Sequence, residues 1–412
     1  MMPLRVLLIT TAYPSQAGGP RGSFIELLAR HLHRQGVTVT VLAPGAPGAP
    51  LGEHAGGVRV VRARYWFDRS QRLATGVGGI VPNLRHQPWL AAQLPGLLAS
   101  LTAAAWKLAV DVDLIHSHWV YPSGIVGVLA ARRRGLPLIV TSHGGDLNLA
   151  RRVPPLRWAS RWVSEHADVC VGVSHAMVSR FQELGVPPER VRFLPLGVEV
   201  EDRITPAEPQ EKDRTLKVIY VGSLIPRKSV ETLLLAQAEL QRRGCHCKAM
   251  IVGSGPSENS LRELSATCDL HGITFVGEKP HSAIPALMRS ADVLVLPSLS
   301  EGRGVVILEA MALGLAVVAS DIPGPREIVI PERTGLLFEP GNPNALAEAL
   351  ERLASDPIAR VEYGLRGRAF LEAEGLSVER SASAHVELYR GVLAAARASA
   401  NMQRAKTGRA RA

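Results

Sequence analysis

Apolar positions in this chain fall in short continuous blocks separated by glycine- and proline-rich turns, and most blocks are followed by a stretch with helical period. Blocks of this kind read as strands buried on both faces of a parallel sheet. LRVLLITTAYP (4–14) is the first, followed by a polar turn from Ser15 to Ser23 and by FIELLARHLHRQG, an amphipathic helix stopped at Gly36. VTVTVLAPG reads as a second strand, and the Gly- and Pro-dense run 46–57 as a loop. From Asp113, DLIHSHWVYPSGIVGVLAARRRGLPLIVTSHGGDLN reads strand, turn, helix, strand, loop, and ADVCVGVS and VRFLPLGVEV close this first set. The polar run ITPAEPQEKDRTLK (204–217), with two prolines, marks a linker. LKVIYVGSLIPRKSVETLLLAQAELQRRG then restarts the logic as strand, loop and helix, followed by CKAMIVGSGP and ITFVGEKPHSAIPALMRSADVLVLPS. The pattern predicts an α/β protein with two Rossmann-like, doubly wound parallel-sheet domains.

Composition agrees with two cores. The chain has 412 residues, 46% hydrophobic and 20% charged, and single cores stop growing near ~250–300 residues. Cys170, Cys245, Cys247 and Cys268 are too scattered for a disulfide framework, and Cys245-His246-Cys247 lacks a second ligand pair at zinc spacing. A reducing cytoplasm is expected. The N-terminal apolar run leads straight into a proline turn and reads as a buried strand rather than a signal peptide. No stretch approaches the ~18–20 apolar residues of a membrane span.

Charge changes the picture further. The net charge is +10, and residues 1–205 hold 22 Lys and Arg against 13 Asp and Glu, so nearly all the surplus is N-terminal. A basic half-molecule suits an acidic partner, such as nucleic acid, an anionic membrane surface or a phosphorylated acceptor, and equally suits an arginine-rich proteome. Residues 62–108 interleave Arg62, Arg64, Arg69, Arg72 and Arg85 with Tyr65, Trp66, Phe67, Trp89 and Trp106. That mixture fits a membrane or glycolipid interface, although the aromatics fit a core as well. Zinc-finger spacing and RNA-binding aromatic signatures are missing, so nucleic acid is not expected as a partner.

Candidate chemistry concentrates in residues 297–321, PSLSEGRGVVILEAMALGLAVVASD. The strand ending at Pro297 gives way to a loop of Ser298, Ser300, Glu301, Gly302 and Gly304, where backbone can approach a ligand. A helix beginning near Gly304 would aim its free N–H groups and positive dipole end at that loop, which suits a phosphate. Glu309 lies one to two turns in, about 7.5 Å along the axis. In the first domain, His143, Gly144, Gly145 and Asp146 follow a strand, at the carboxyl-end crevice where open parallel sheets bind ligands. The turn at 15–23 is not the dinucleotide fingerprint, being longer and differently spaced, which disfavours a dehydrogenase. Asp111-Val112-Asp113 spells a metal-binding Asp-x-Asp but precedes its strand, so it reads as a helix-to-strand turn. His116 and His118 share a strand face without an apparent third ligand, and His118 is taken as cleft-lining at most.

The spacing of Glu301 and Glu309, preceded by Pro297-Ser298 and followed by Ala310-Met311-Ala312 and Gly314, resembles the nucleotide-sugar signature of the retaining glycosyltransferases of family 4 (glycosyl transferases group 1). The resemblance spans nearly the whole chain and implies a GT-B fold, two Rossmann-like domains facing each other across a cleft. It implies that Glu309 binds the ribose hydroxyls of the donor and Glu301 the hydroxyls of the transferred sugar, with amides from Arg303, Gly304 and Val305 to Val306 on the distal phosphate beside Gly302. His143 matches the histidine that approaches the reacting centre, making His143, Glu301 and Lys228 the catalytic candidates. Lys228 matches the lysine that clamps the diphosphate. Ser223 stands where an arginine is usual, and Arg227 in the same loop is a candidate replacement. Gly277 and Glu278 are placed at the base. Gly18, Gly19 and Gly22 fall toward the sugar and phosphate, and Asp146 toward the acceptor or in an orienting role.

Arg303 stands where an aromatic residue is usual, and could meet a carboxylated sugar, meet an acidic acceptor or compensate for Ser223. Expected boundaries are 1–204 for the acceptor-binding domain, 205–215 for the linker, 216–378 for the nucleotide-sugar domain, 379–398 for a helix crossing back to the first domain, and 399–412 for a basic disordered tail. Expected partners are a nucleotide sugar and a glycan or lipid-linked glycan acceptor, with no cofactor and no metal. The expected location is cytoplasmic, with the inner face of the cytoplasmic membrane as the peripheral option that the basic N-terminal half suits. The alternatives are a soluble synthase or phosphorylase with a small sugar acceptor, and a non-catalytic binding protein.

Overall fold

Continuous apolar runs become parallel strands here because both sheet faces are covered. In the computed structural model, which describes residues 3–15, 19, 21–76, 79–200 and 215–409 (backbone only from 403), Val6, Leu7, Leu8 and Ile9 are all fully buried. Val6 and Leu8 point into one core and Leu7 and Ile9 into another, on opposite faces of the same sheet.

The first half runs β1 (Arg5–Ile9), α1 (Ser23–Arg34), β2 (Thr38–Pro44), β3 (Gly52–Ala55), β4 (Val58–Ala63), α2 (Ile80–His86), α3 (Leu94–Leu108), β5 (Leu114–His118), α4 (Ser123–Arg134), β6 (Leu138–Ser142), α5 (Gly145–Ala150), α6 (Pro154–His166), β7 (Val169–Gly172), α7 (His175–Glu183) and β8 (Val191–Phe193). Its strands lie in the order β3-β4-β2-β1-β5-β6-β7-β8, parallel except for β3. The second half runs β9 (Leu216–Val221), α8 (Val230–Arg242), β10 (Cys247–Val252), α9 (Glu258–Thr267), β11 (Ile273–Gly277), α10 (Ile284–Arg289), β12 (Val293–Leu296), α11 (Val305–Ala312), β13 (Ala316–Ser320), β14 (Leu336–Phe338), α12 (Pro343–Ser355) and α13 (Pro357–Ala373). Its order is β11-β10-β9-β12-β13-β14, all parallel.

Both orders reverse direction once, between β1 and β5 and between β9 and β12. Such a switch point leaves a crevice at the carboxyl ends of the strands, because the flanking connections leave toward opposite faces. The loops after β1, β5, β9 and β12 therefore flank the two crevices.

The last helix, α14 (Val378–Arg409), returns to the first half and lies against α1. It adds Ala382, Val386, Tyr389 and Val392 to the core beneath β1. It continues to Arg409, through most of the segment expected to be a disordered tail. Where α14 begins, the outgoing and returning chains are pinned together. Val198 N–H donates to Leu376 O at 3.1 Å and Val378 N–H to Val198 O at 2.9 Å. The expected linker, apart from Thr215, lies outside the described residues.

Residues 62–108 contain both buried and exposed aromatics. Tyr65 is buried, and Trp106 is half-buried beneath Arg133, whose guanidinium carbon stands 4.5 Å from its ring. Phe67, Trp89 and Trp66 are exposed. Arg62 is a core ion-pair residue, held by Glu53 at 2.5 Å and Pro14 O at 2.7 Å. Among the described residues no helix is long and apolar enough to cross a membrane. Asp113 accepts from the Arg5 amide and guanidinium, both at 2.8 Å, which is the strand-entry role read for it.

Candidate active site

The two crevices face one another across a single cleft of about 1770 Å³. On the second-half wall, β12 ends at Leu296 and the chain turns through Glu301 into α11, whose first residue follows Gly304 at φ 86°. Val305, Val306 and Glu309 line the cleft from that helix. The β9 loop contributes Ser223 and Arg227, and the loop after β11 contributes Glu278 and His281. Gly277 ends β11 behind this wall, and it is Glu278, accepting from Ser254 Oγ at 2.7 Å, that faces the cleft.

Glu301 anchors the most concentrated charge. Its Oε1 takes the Lys228 ammonium in a short contact and accepts from Ser298 Oγ at 2.7 Å, while Arg227 Nη1 stands 3.9 Å from Oε2. Burial raises the carboxyl's pKa, but the charges of Lys228 and Arg227 outweigh it and hold it below its usual value. Burial also lowers the pKa of the Lys228 ammonium, against the attraction of Glu301. The two cations differ in placement: Lys228 sits behind Glu301, with its side chain 14% exposed, whereas Arg227 is 46% exposed on the cleft wall and donates to Ser300 O at 3.0 Å.

Glu309 has a partner that motif reading missed. His281 Nε2 lies 2.9 Å from its Oε1, and this hydrogen bond raises the histidine's pKa against burial. The pair leaves Oε2 of Glu309 without a hydrogen bond to the imidazole. The only trace of His281 in the sequence is a polar residue soon after a strand end.

On the opposite wall, Gly19, Gly22, Phe24, Trp119 and Asp146 line the cleft, and Gly18 lies outside the described residues. Asp146 is 4% exposed, and its carboxylate accepts from Val120 N at 2.8 Å, Ser142 Oγ at 2.6 Å, Leu147 N at 3.0 Å and Gly144 N at 3.2 Å. Burial raises its pKa while these donors oppose the rise. With four donors on two oxygens it is an orienting group that fixes the 143–147 turn.

His143 is placed differently from the expectation that its ring faces the cleft. It packs among Phe24, Trp119 and His118, with ring centroids 5.1, 4.6 and 5.2 Å away. Its Nε2 is 3.0 Å from His118 Nδ1, and its Nδ1 has no partner among the described residues. Burial, helped by His385, pulls its pKa down to about 3, so the imidazole is neutral near pH 7. His118 is fully buried behind it, which corrects its cleft-lining assignment. The row continues inward, with His116 bonded to Tyr389 OH at 2.8 Å and Thr141 Oγ1 at 2.7 Å. Trp119 holds φ 70°, a strained value for a bulky residue of the kind that marks functional turns.

Arg303 requires a second correction. Its side chain leaves the cleft, donates to Val173 O at 3.0 Å, stands 3.8 Å from Glu327 and covers the Phe193 ring at 5.4 Å. Glu327 in turn accepts from the His175 and Ala176 amides at the start of α7, at 2.9 and 3.0 Å. Arg303 is therefore a cross-domain tie, unavailable to a carboxylated sugar, an acidic acceptor or the position of Ser223.

The halves also touch at Gly144 and Gly302, where any side chain would collide. A Cβ on Gly302 would stand 1.9 Å from His143 O, and one on Gly144 2.3 Å from Gly302 Cα. Asn148 Nδ2 donates across the same junction to Ser300 Oγ at 3.2 Å. Gly302→Ala is expected to hold the halves apart, giving a larger radius of gyration by small-angle scattering with the melting temperature nearly unchanged. An unchanged radius would mean that the junction yields elsewhere.

Comparison with known proteins places this geometry. The glycosyl transferases group 1 profile matches residues 202–370 and the glycosyl transferase 4-like domain profile residues 21–197. The chain is 28% identical over 389 residues to a GDP-mannose-dependent alpha-(1-6)-phosphatidylinositol monomannoside mannosyltransferase of Mycobacterium tuberculosis, covering 90% of this chain and 94% of that protein. It is 31% identical to the D-inositol 3-phosphate glycosyltransferase of Pseudarthrobacter chlorophenolicus, covering 72% and 76%. Among solved structures, the sucrose-phosphate synthase of Thermosynechococcus elongatus superposes with a TM-score of 0.78 at 25% identity, over 95% of this chain and all of that one.

Proposed function

Because the chain belongs to the glycosyl transferases group 1 and has their GT-B architecture, we propose that it moves a sugar, with retained anomeric configuration, from a nucleotide-diphosphate sugar to a hydroxyl of a glycan or lipid-linked glycan acceptor. The observation that carries this reading is the meeting of Glu301, Arg227, Glu309 and the start of α11 on one wall of a cleft that Gly19, Gly22 and Asp146 line from the other. Cell-envelope or exopolysaccharide synthesis is the setting, at the cytoplasmic face of a membrane. Exposed Phe67, Trp89 and Trp158 on the basic half support that location.

In this reading Glu309 holds the ribose hydroxyls through the oxygen that His281 leaves free. The diphosphate lies on the Val305 and Val306 amides and Arg227, with Lys228 drawn from Glu301 toward the phosphate. The C1–oxygen bond breaks, its electron pair leaves on the diphosphate, and these cations and dipoles stabilise that charge without a metal. The acceptor oxygen bonds to C1 on the face the diphosphate vacates, and its proton passes to the departing phosphate oxygen. Glu301 binds sugar hydroxyls. Neutral His143 supports the Phe24 and Trp119 rings of the cleft wall and is not the group that moves the proton, since its pKa is about 3.

A panel of UDP-, GDP- and ADP-sugars tests the donor. The true donor at 100 times its Kd adds about 2.7 kcal/mol of stability, a rise of several degrees in melting temperature, and the product's anomeric signal by NMR reads retention. No shift with any nucleotide sugar, or an inverted product, would refute the reading. A small sugar phosphate as acceptor is the second reading, favoured by the superposition on sucrose-phosphate synthase, and it predicts transfer to soluble sugars without any lipid.

A further inference from the structure

The first-half arm of the cleft is built unlike a sugar site. Five helices send aliphatic side chains into it: Val81 and Leu84 from α2, Leu98 from α3, Ile125 from α4, Leu149 from α5 and Leu156 from α6. All six are only half-buried, so the protein itself does not cover them. A sugar would need hydroxyl partners along such a wall, and hydrocarbon offers none. An uncovered apolar groove of this kind marks a site for an apolar ligand.

The charges on the same arm point one way. Arg85, Arg151 and Arg152 line the cleft and are exposed, and among the described residues none of their side chains has an ion pair or a hydrogen bond. The other arginines there are occupied: Arg21 by Thr11 O and Ala74 O, Arg62 by Glu53, and Arg180 by Glu183. Asp146, the acid on this arm, is saturated by its four donors. Three guanidiniums without hydrogen bonds or ion pairs beside open hydrocarbon, of which only Arg151 feels a nearby acid, Glu183, complement a molecule that carries an anion on an apolar chain.

Resting on the glycosyl-transfer reading, we propose that the acceptor is an anionic amphiphile. Its hydrocarbon chain lies along the α2–α6 groove, and its phosphate or carboxylate is held by Arg85, Arg151 and Arg152. The sugar-accepting hydroxyl is then on the head of this molecule, on the side facing Glu301 and Arg227.

Dodecyl phosphate below its critical micelle concentration is the probe, with inorganic phosphate and dodecyl maltoside as controls, all by isothermal titration calorimetry. Dodecyl phosphate is expected to bind at least about tenfold more tightly than either control, a difference of about 1.4 kcal/mol. Arg151→Glu with Arg152→Glu is expected to remove that advantage. Val81→Asn with Leu156→Asn, at half-exposed positions, is expected to weaken dodecyl phosphate and leave inorganic phosphate unchanged. Equal binding of inorganic phosphate would overturn the chain site, and equal binding of the maltoside, insensitivity to charge reversal or no binding at all would overturn the proposal. The nucleotide-sugar melting shift, measured on the same variants, is expected to persist. If it is missing in the wild type, the glycosyl-transfer reading fails instead, and the two failures stay distinct.

Discussion

Glu301→Leu is expected to destabilise the second domain by about 3–5 kcal/mol, the usual cost of stranding one member of a buried ion pair. Lys228 would be left with its side chain 14% exposed and no counter-charge, and Ser298 Oγ would lose its acceptor. Lys228→Met combined with Glu301→Leu removes both charges and is expected to recover most of that stability, because hydrophobic replacement of a buried pair is often neutral. Transfer separates a structural pair from a functional one. Loss of groups aimed at developing charge costs about 10²–10³ in rate, so the double variant should be stable and nearly inactive. Urea unfolding and a transfer assay with the identified donor measure the two quantities. A double variant that transfers at wild-type rate would make the pair purely structural, and a single variant as stable as wild type would deny the coupling.

Acidification from pH 7 to pH 5 is the second large effect. His143 and His385 have pKa values of about 3 and about 4 in the fold, chiefly through burial, against the ordinary 6.5. Below pH 6.5 the unfolded chain takes up protons that the folded chain refuses. The stability contributed by these neutral imidazoles is therefore fully present above about pH 6.5 and falls as pH drops toward the folded values. Each contributes a slope of about 1.4 kcal/mol per pH unit, so these two alone account for about 4 kcal/mol between pH 7 and pH 5. His116 and His118 shift in the same direction and steepen the loss. In urea titrations at pH 7, 6 and 5, His385→Asn should flatten the slope by about 1.4 kcal/mol per unit. An unchanged slope would show that the buried row is not its source.

Strands were legible in the sequence because burial on both faces leaves an unbroken apolar run, as in β1, β6 and β12. The turn into α11 was legible because Gly304 and the two glutamates fall within one local stretch. Helix α13 was not, since its buried face is made of Tyr363, Gly364, Gly367 and Leu371, and glycines carry no apolar period. Helix α3 opens with Leu-Pro-Gly and follows a stretch of mixed aromatics and bases, which masked its start. Contacts that depend on the halves meeting were hidden for a different reason. Arg303 looked like a cleft cation because its loop is a cleft loop, but its partner Val173 is 130 residues away. Comparable separations hid the Gly144–Gly302 contact and the capping of α7 by Glu327. His143 was found by its place after β6, yet that place could not reveal that Phe24, from the β1 side of the sheet, packs against its ring.

The return of α14 has a consequence for synthesis. Tyr389, fully buried and bonded to His116, belongs to the same core as Val6 and Leu8. The first domain is therefore interrupted by the second, which occupies the chain between Val198 and Val378. After Val198 emerges, roughly 200 further residues must be made before that core is filled, about 10–40 s at ribosomal speeds of ~5–20 residues per second. The second half has all its strands by then, so the usual N-terminal-first order is reversed. A nascent chain stalled before α14 should present a second domain that is already protease-resistant beside a first domain that is not.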